Sequence, residues 1–453
     1  MNIHFISIGG SVMHQLAIAL KKKGENVTGS DDEVFEPSRT NLEREGLLPL
    51  EMGWHPEVIN EHFDAVILGM HARADNPELL KAQELGIPVY SFPEYVYEAS
   101  KNKKRVVVGG SHGKTTTTSM IMHVLNEAGL SFDYLVGAKL QGFEQSVNIT
   151  DAPVIVCEGD EYPASALEKR PKFHFLFPHI AVLTGIAWDH INVFPTWEIY
   201  LEQFKIFLDK IEIDGVLIYN ETDPVLARLV SENIRPDIKY LPYGIPGHSV
   251  ENGKTRLLID NDDTLLKVFG NHNLLNIHAA YLVCKELGVQ TSTFLSAISH
   301  FTGASKRLEI LAETGTTTIF RDFAHAPSKV KATIEAVRQQ FPARKLVAAL
   351  ELHTYSSLNE AFMPHYKGAL DPADEACVFY SHHAMEIKKM PPLAEATVKE
   401  GFGNNKVEVF TSRTDLEQWL YSKNYNNTSL LLMSSGTYEG LDLAKLQSAI
   451  MKD

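Results

Sequence analysis

The sequence predicts an α/β protein built from three tandem domains. Short apolar runs alternate with helical stretches along most of the chain, which is the pattern of doubly wound sheets. That alternation restarts twice, near Arg105 and after about Ser305. The chain has 453 residues, and at roughly 150 residues per domain such a length suits about three. The expected domains are 1–103, 104–305 and 306–453.

The opening reads as strand, glycine turn and helix: Ile3–Ile8, Gly9-Gly10-Ser11 and Met13–Lys23. A second strand, Asn26–Thr28, leads into Gly29-Ser30-Asp31-Asp32. Ala65–Leu68 is an apolar run, Pro77–Leu85 a helix and Pro88–Tyr90 a short strand, so this unit should carry its ligand at the strand ends. The basic, polar run Ser100–Arg105 reads as a linker. Arg105–Val108 then feeds a Gly-rich loop and a helix at about Thr116–Glu127, whose apolar face is Met120, Ile121, Val124 and Leu125. Val154–Cys157, Ile180–Thr184 and Val216–Tyr219 follow as strands, and Asn276–Leu287 as a helix. In the third unit Thr316–Phe320, Lys345–Leu350, Cys377–Tyr380, Val407–Phe410 and Ser429–Met433 read as strands. Ser328–Gln340 and Asp415–Ser422 read as helices.

Hydrophobic residues make up 44% and charged residues 22%, the ordinary composition of a soluble globular protein. The net charge of −15 argues against nucleic acid as a partner. Cys157, Cys284 and Cys377 are odd in number and widely spaced, which suits a reducing compartment and makes no metal-ligand spacing. The start MNIHFISIGG lacks a signal peptide's basic region and long apolar run, and no stretch approaches the ~20 apolar residues of a membrane span. A cytoplasmic protein without a membrane partner is expected.

Gly109-Gly110-Ser111-His112-Gly113-Lys114-Thr115-Thr116 is the strongest chemical signal. Glycines after a strand let backbone N–H groups turn around phosphate oxygens, and the following helix points its positive end at the same anion. Lys114 can reach the β- and γ-phosphates of ATP, and the Thr115 hydroxyl can ligate Mg²⁺. The match to a Walker A loop is not strict, because Val108 stands where its first glycine would fall. Gly9-Gly10-Ser11 misses the nicotinamide fingerprint at Ser7 and Val12, leaving a nucleotide diphosphate site or an ordinary βα turn.

Polar clusters follow several apolar strands. Glu158 is the expected metal ligand beside the γ-phosphate, while Asp160 and Glu161 read equally as a solvated acidic turn. His190, between Asp189 and Asn192, could bind a second metal or the transferring phosphate. His272, Asn273 and Asn276 could read adenine edges or form a polar helix cap. Asp322 could hold a ribose hydroxyl or a phosphate-bound cation, and Arg307 could stabilise charge on the moving phosphoryl.

Taken together these residues resemble the Mur ligase family, and the resemblance covers essentially the whole chain in order. Gly110-Ser111-His112-Gly113-Lys114-Thr115-Thr116 is similar to that family's G-[ST]-x-G-K-T-T loop. Its metal-binding Glu and His fall on Glu158 and His190, and its H-N-x-x-N segment on His272, Asn273 and Asn276. The Asp-x-x-His of its C-terminal domain falls on Asp322 and His325, which join the ATP-binding set. Membership implies a Rossmann-like UDP-binding domain, a central P-loop ATPase-type domain and a C-terminal Rossmann-like domain for the incoming amine. It also implies ATP and Mg²⁺ as cofactors and an ADP-forming ligation through an acyl phosphate, catalysed by Lys114, Glu158, His190 and Arg307. Gly9, Gly10, Ser11, Ser30, Asp31, His71, Asn76, Ser435 and Gly436 are the implied substrate-binding residues.

The opening I-H-F-I-x-I-G-G and Ala74-Asp75-Asn76-Pro77 resemble the branch that uses UDP-N-acetylmuramate. Within it, the longer Asp160–Phe173 spacing is similar to the recycling branch, whose amine donor is L-alanyl-γ-D-glutamyl-meso-diaminopimelate. Glu351-Leu352-His353-Thr354-Tyr355 replaces the basic H-R-Y-T-R-T run of the alanine-adding branch, and Met433–Gly440 is similar to the recycling branch's C-terminal loop. The L-alanine ligase is the alternative, and a non-catalytic nucleotide-binding regulator a second one. A bacterial monomer or weak dimer is expected, with Lys205 on a helix surface.

Overall fold

The computed structural model describes the chain except residues 71, 138–139, 141, 166, 189–192, 252, 304–307, 404–405 and 452–453. The expected site residues His71, His190 and Arg307 therefore lie outside the described residues. The chain folds as two compact units, Met1–Gly244 with Asn276–Ile298, and Ile245–Leu275 with Ser299–Asp453.

The first unit holds two sheets. One is wholly parallel, in the order Asn26–Ser30, Asn2–Ile6, Ala65–Leu68, Val89–Ser91. The other is seven-stranded, in the order Lys239–Tyr243, Val216–Asn220, Ile180–Leu183, Lys104–Gly109, Val154–Glu158, Asp133–Leu135, Val147–Asn148. Only its last strand runs antiparallel. The central strands are apolar on both faces, as a parallel sheet covered by helices requires, and Val106, Val107 and Val108 are fully buried. Register pairs Val108 with Glu158 and Gly109 with Leu183, so three strand ends converge on the loop after Gly109.

The second unit is built on a six-stranded sheet in the order Glu309–Glu313, Thr318–Asp322, Thr428–Met433, Lys345–Glu351, Glu375–Phe379, Val407–Phe410. All neighbours are parallel except the first pair. A three-stranded antiparallel sheet, Gly247–Glu251, Lys254–Ile259 and Asp262–Leu266, belongs to the same unit. The sequence reading has no strands there.

One expectation is corrected. Ser100–Arg105 is not a linker: the helix Phe92–Ser100 and the strand Lys104–Gly109 leave only a turn between them. Two of its charges, Lys103 and Arg105, are buried and matched, while Lys101 and Lys104 are exposed. Lys103 Nζ lies 2.5 Å from Asp133 Oδ2 and donates to the carbonyls of Thr150 and Ala152 at 2.7 and 3.0 Å. Arg105 donates to the carbonyls of Ser100, Leu176 and Phe177 at 2.9–3.1 Å and to Glu212 at 2.6 Å. Lys205, by contrast, is exposed on the helix Trp197–Asp209 as expected.

Lys103→Met should strand the fully buried Asp133 carboxylate, and breaking such a pair costs about 3–5 kcal/mol. Urea unfolding should show the loss as a lower midpoint at unchanged slope.

Candidate active site

The phosphate loop is shaped by two glycines that side chains could not replace. Gly110 has φ +125°, and a Cβ there would lie 2.2 Å from Thr184 Oγ1 and 2.9 Å from Thr184 N. Gly113 has φ +83°, and its Cβ would lie 2.5 Å from Asn276 Oδ1. L-residues avoid both conformations, so the loop closes against Thr184 and Asn276 only because Cβ is missing. Ser111 N donates to Gly185 O at 2.9 Å, and Thr184 Oγ1 donates to the His112 carbonyl. The helix Lys114–Glu127 then starts with Thr115 and Thr116 in its first turn, where backbone N–H groups have no partner inside the helix.

Three acidic side chains face this loop. Lys114 Nζ donates to Gly110 O and to Glu161 Oε2, both at 2.6 Å, which leaves one ammonium proton for a phosphate oxygen. Thr115 Oγ1 donates to Glu158 Oε1 at 2.7 Å, and Gly137 N donates to Glu158 Oε2 at 2.9 Å. Burial opposes the charge on Lys114, but Glu161, Asp160 and Glu158 outweigh it and raise the lysine's pKa. Burial likewise works against Asp160, yet Lys172 and Lys114 draw it below the usual carboxylate range.

Glu161 is therefore not a solvated turn residue: it is 1% exposed and pairs with the loop lysine. The sequence carried no local signal for this, because the partner is 47 residues upstream. Tyr200 was also missed. Its hydroxyl lies 2.8 Å from Ser111 Oγ and 3.4 Å from Glu161 Oε1, and Ser111 Oγ accepts from Ala187 N at 2.8 Å.

Of the His272–Asn276 segment, Asn276 reaches the phosphate loop, where Thr117 Oγ1 donates to its Oδ1 at 3.2 Å. Asn273 donates to Phe269 O at 2.9 Å, and burial holds the His272 imidazole down at about 4. Both belong to the second unit. At the end of that unit's strand Thr318–Asp322, the Asp322 carboxylate accepts from Leu308 N and Ala324 N at 2.6 Å each. His325 Nδ1 lies 2.9 Å from Phe323 O. Both residues are thus engaged by their own strand-to-helix connection.

The N-terminal sheet gathers several of the expected substrate residues at one edge. Gly9 N donates to Asp31 Oδ2 at 2.7 Å, and a Cβ on Gly9 would meet that oxygen at 2.9 Å. Burial pushes the Asp31 carboxyl up to about 6, against the pull of the Gly9 N–H, and Asp32 adds to the rise. Gly10 and Ser11 complete the turn beside it, with Gly10 O 2.9 Å from His14 Nδ1. Ser30 Oγ turns inward, 3.4 Å from His4 Nε2, and Asn76 caps the helix Pro77–Glu84 by accepting from Glu78 N and Leu79 N. Ser435 and Gly436 belong to the second unit and follow its strand Thr428–Met433.

Comparison with known proteins agrees with this arrangement. Residues 2–104 match the Mur ligase family catalytic domain, 108–284 the Mur ligase middle domain and 306–436 the Mur ligase glutamate ligase domain. The chain belongs to the Mur ligase family. It is 33% identical over 399 residues to a UDP-N-acetylmuramate–L-alanine ligase of Arthrobacter sp. (strain FB24), covering 85% of this chain and 82% of that one. A solved UDP-N-acetylmuramate–alanine ligase from Thermotoga maritima matches with a TM-score of 0.66 at 21% identity, over 99% of this chain and 98% of that one. A UDP-N-acetylmuramate:L-alanyl-γ-D-glutamyl-meso-diaminopimelate ligase from Neisseria meningitides matches with a TM-score of 0.58 at 27% identity, over 66% of this chain and 98% of that one. As a Mur ligase the chain has the family's three-domain α/β architecture and is an ATP-dependent, amide-bond-forming ligase.

Two outcomes follow from this geometry. Lys114→Met in this Mur ligase should lower substrate-dependent phosphate release by roughly a hundredfold or more, the usual loss when one preorganised donor to a developing charge is removed. Asp31→Asn should change stability in a pH-dependent way. The folded-state pKa is raised, so the stability contributed by protonated Asp31 is complete below about pH 4 and lost as pH rises through about 6. The variant's melting temperature should therefore exceed the parent's at pH 7 and match it at pH 3.5.

Proposed function

We propose that the chain joins the carboxylate of UDP-N-acetylmuramate to the amine of L-alanyl-γ-D-glutamyl-meso-diaminopimelate, forming ADP and phosphate in peptidoglycan recycling. What supports this choice of donor is the Asp160–Phe173 spacing, which resembles the recycling branch, together with the contacts that its described residues make. Lys172 N donates to Tyr162 O at 3.0 Å, Ala164 N to Arg170 O at 2.9 Å and Phe173 N to Asp160 O at 3.1 Å. Phe173 is fully buried, the Arg170 guanidinium covers the Phe175 ring at 4.5 Å, and Lys172 pairs with Asp160 at 2.7 Å. These residues are thus built onto the carboxylate cluster beside Lys114. Glu351–Tyr355 adds support, since it contains no Lys or Arg to capture the carboxylate of a lone amino acid.

In this reading the muramyl carboxylate attacks the γ-phosphate of ATP and ADP leaves. The peptide amine then attacks the acyl phosphate, and the tetrahedral intermediate collapses to amide and phosphate. Lys114 stabilises charge on the transferring phosphoryl, and the loop and helix N-terminus fix its position. Thr115 Oγ1 and Glu158 Oε1, hard oxygens 2.7 Å apart, suit Mg²⁺, which would neutralise phosphate charge when bound. His190 would bind a metal or the transferring phosphate, and Arg307 would stabilise charge on the moving phosphoryl. ATP is assigned to the central domain at 104–305 through Gly110–Thr116 and Asn276, and His272, Asn273, Asp322 and His325 are ATP-binding candidates of the second unit. The UDP-sugar falls to 1–103, and the peptide to 306–453. The protein would act in the bacterial cytoplasm as a monomer or weak dimer.

A second reading, L-alanine as the donor, is favoured by the 33% identity to the Arthrobacter alanine ligase. Phosphate release with ATP, Mg²⁺ and UDP-N-acetylmuramate separates the two. The tripeptide should give a kcat/KM at least about tenfold above that of L-alanine, equivalent to about 1.4 kcal/mol of transition-state discrimination. A higher value with L-alanine would reverse the assignment.

A further inference from the structure

Tyr200 sits on the helix Trp197–Asp209, whose buried face is Tyr200, Phe204, Phe207 and Leu208. Its ring is fully buried, edge-on to Phe204 at 5.2 Å and tilted against Phe194 at 5.4 Å. Phe207 stacks on Phe173 at 4.6 Å, which fixes the helix further along. A phenylalanine at 200 would fill the same pocket with no polar atom to satisfy, so packing alone does not call for the hydroxyl.

That hydroxyl joins the phosphate loop to the carboxylate that holds the loop lysine. It lies 2.8 Å from Ser111 Oγ and 3.4 Å from Glu161 Oε1, while Glu161 Oε2 accepts from Lys114 Nζ at 2.6 Å. Counting protons sets the direction of each bond. Ser111 Oγ already accepts from Ala187 N at 2.8 Å and keeps one proton to give. A carboxylate paired with a lysine only accepts, so the Tyr200 proton faces Glu161 and the Ser111 proton faces Tyr200. The reverse arrangement would set the Tyr200 lone pairs against the carboxylate. One head-to-tail chain results: Ala187 N–H donates to Ser111, Ser111 to Tyr200 and Tyr200 to Glu161, with Lys114 donating to Glu161 at the far end. Bonds in such a chain polarise one another, and more so in a buried site.

Both ends of the chain are anchored on backbone. Ser111 N donates to Gly185 O at 2.9 Å, and Lys114 Nζ donates to Gly110 O at 2.6 Å. Glu161 lies between them, with several side-chain torsions to settle. A hydrogen bond to its Oε1 fixes the plane of the carboxylate, and with it the direction in which Lys114 holds its remaining proton.

We propose that Tyr200 is a positioning residue for phosphoryl transfer, acting through Glu161 to aim the Lys114 ammonium at the charge that develops on the γ-phosphoryl. A donor stabilises that charge best when it already points where the charge will appear, because no reorganisation is left for the reaction step. The inference rests on the reading of Lys114 as the group that stabilises the transferring phosphoryl. It does not depend on which amine is the donor.

The test is steady-state phosphate release by the full chain with ATP, Mg²⁺, UDP-N-acetylmuramate and the donor that is turned over, L-alanine or the tripeptide. The variants are Tyr200→Phe, Glu161→Gln, the two combined, and Lys114→Met as a control for the role of the lysine. Melting temperature shows that each is folded. Tyr200→Phe should lower kcat by about tenfold, the size of one hydrogen bond to a charged group, with KM for ATP within twofold of the parent. In the Glu161→Gln background the same substitution should change kcat by less than twofold, because the charge it orients is gone. A kcat within twofold of the parent in folded Tyr200→Phe overturns the proposal. An equal loss in both backgrounds overturns it too, since the effect then does not pass through Glu161. If Glu161→Gln is unfolded or inactive, Tyr200→Phe decides alone, because a role in packing predicts a lower melting temperature with kcat unchanged. Phosphate release unaffected by Lys114→Met would sink the reading of the lysine, whereas loss there with none in Tyr200→Phe sinks only the positioning role.

Discussion

The phosphate loop depends on Gly110 lying against Thr184 with no Cβ between them. That close approach follows from register. Gly109 is opposite Leu183 and Val108 opposite Glu158, so the ends of three parallel strands arrive together and the backbone turns in the space left. Once the turn is made, Lys114 begins the helix facing Glu161, and Thr115 faces Glu158. The strands supply position and the missing side chains supply room. The chemistry is added by three or four residues at the rim.

A chain with net charge −15 that handles polyphosphates needs its positive groups placed with care. Lys114 is held by one carbonyl and one carboxylate, so its remaining proton is directed before any ligand arrives. Such preorganisation lowers the entropy lost when phosphate binds. The acidic side chains around it are compensated too: Glu161 by Lys114, Asp160 by Lys172 and Glu158 by Thr115 and Gly137. Glu351 of the second unit is held as Glu158 is, by a hydroxyl and a backbone N–H, those of Ser434 and Tyr438.

Most strands were legible because buried parallel strands are continuous apolar runs: Val106–Val108 and Ala65–Leu68 announce themselves. The loop was legible because glycines, lysine and threonine have few other uses at that spacing. Features held by distant partners were not. The charges of Ser100–Arg105 suggest exposure until Lys103 finds Asp133, 30 residues away. Glu161 and Asp160 are indistinguishable in sequence, and only the fold gives the first a lysine of the loop. The antiparallel sheet at 247–266 has a period-two signal in Thr255, Leu257 and Ile259, but its edge strand Gly247–Glu251 is wholly exposed and so lacks an apolar run. Asn76 and Asp322 show the converse: as residue types they suggest ligand contacts, and the structure uses their oxygens on backbone N–H groups.

The central claim is that ATP activates a carboxylate as its acyl phosphate, with the phosphoryl transfer run from the Lys114 loop. It is tested most directly by labelling the muramyl carboxylate of UDP-N-acetylmuramate with ¹⁸O and analysing the phosphate released during amide formation. An acyl phosphate requires the carboxylate oxygen that attacked the γ-phosphorus to leave with it, so each phosphate should carry one ¹⁸O atom from a fully labelled carboxylate. Unlabelled phosphate accompanying amide product would contradict the claim.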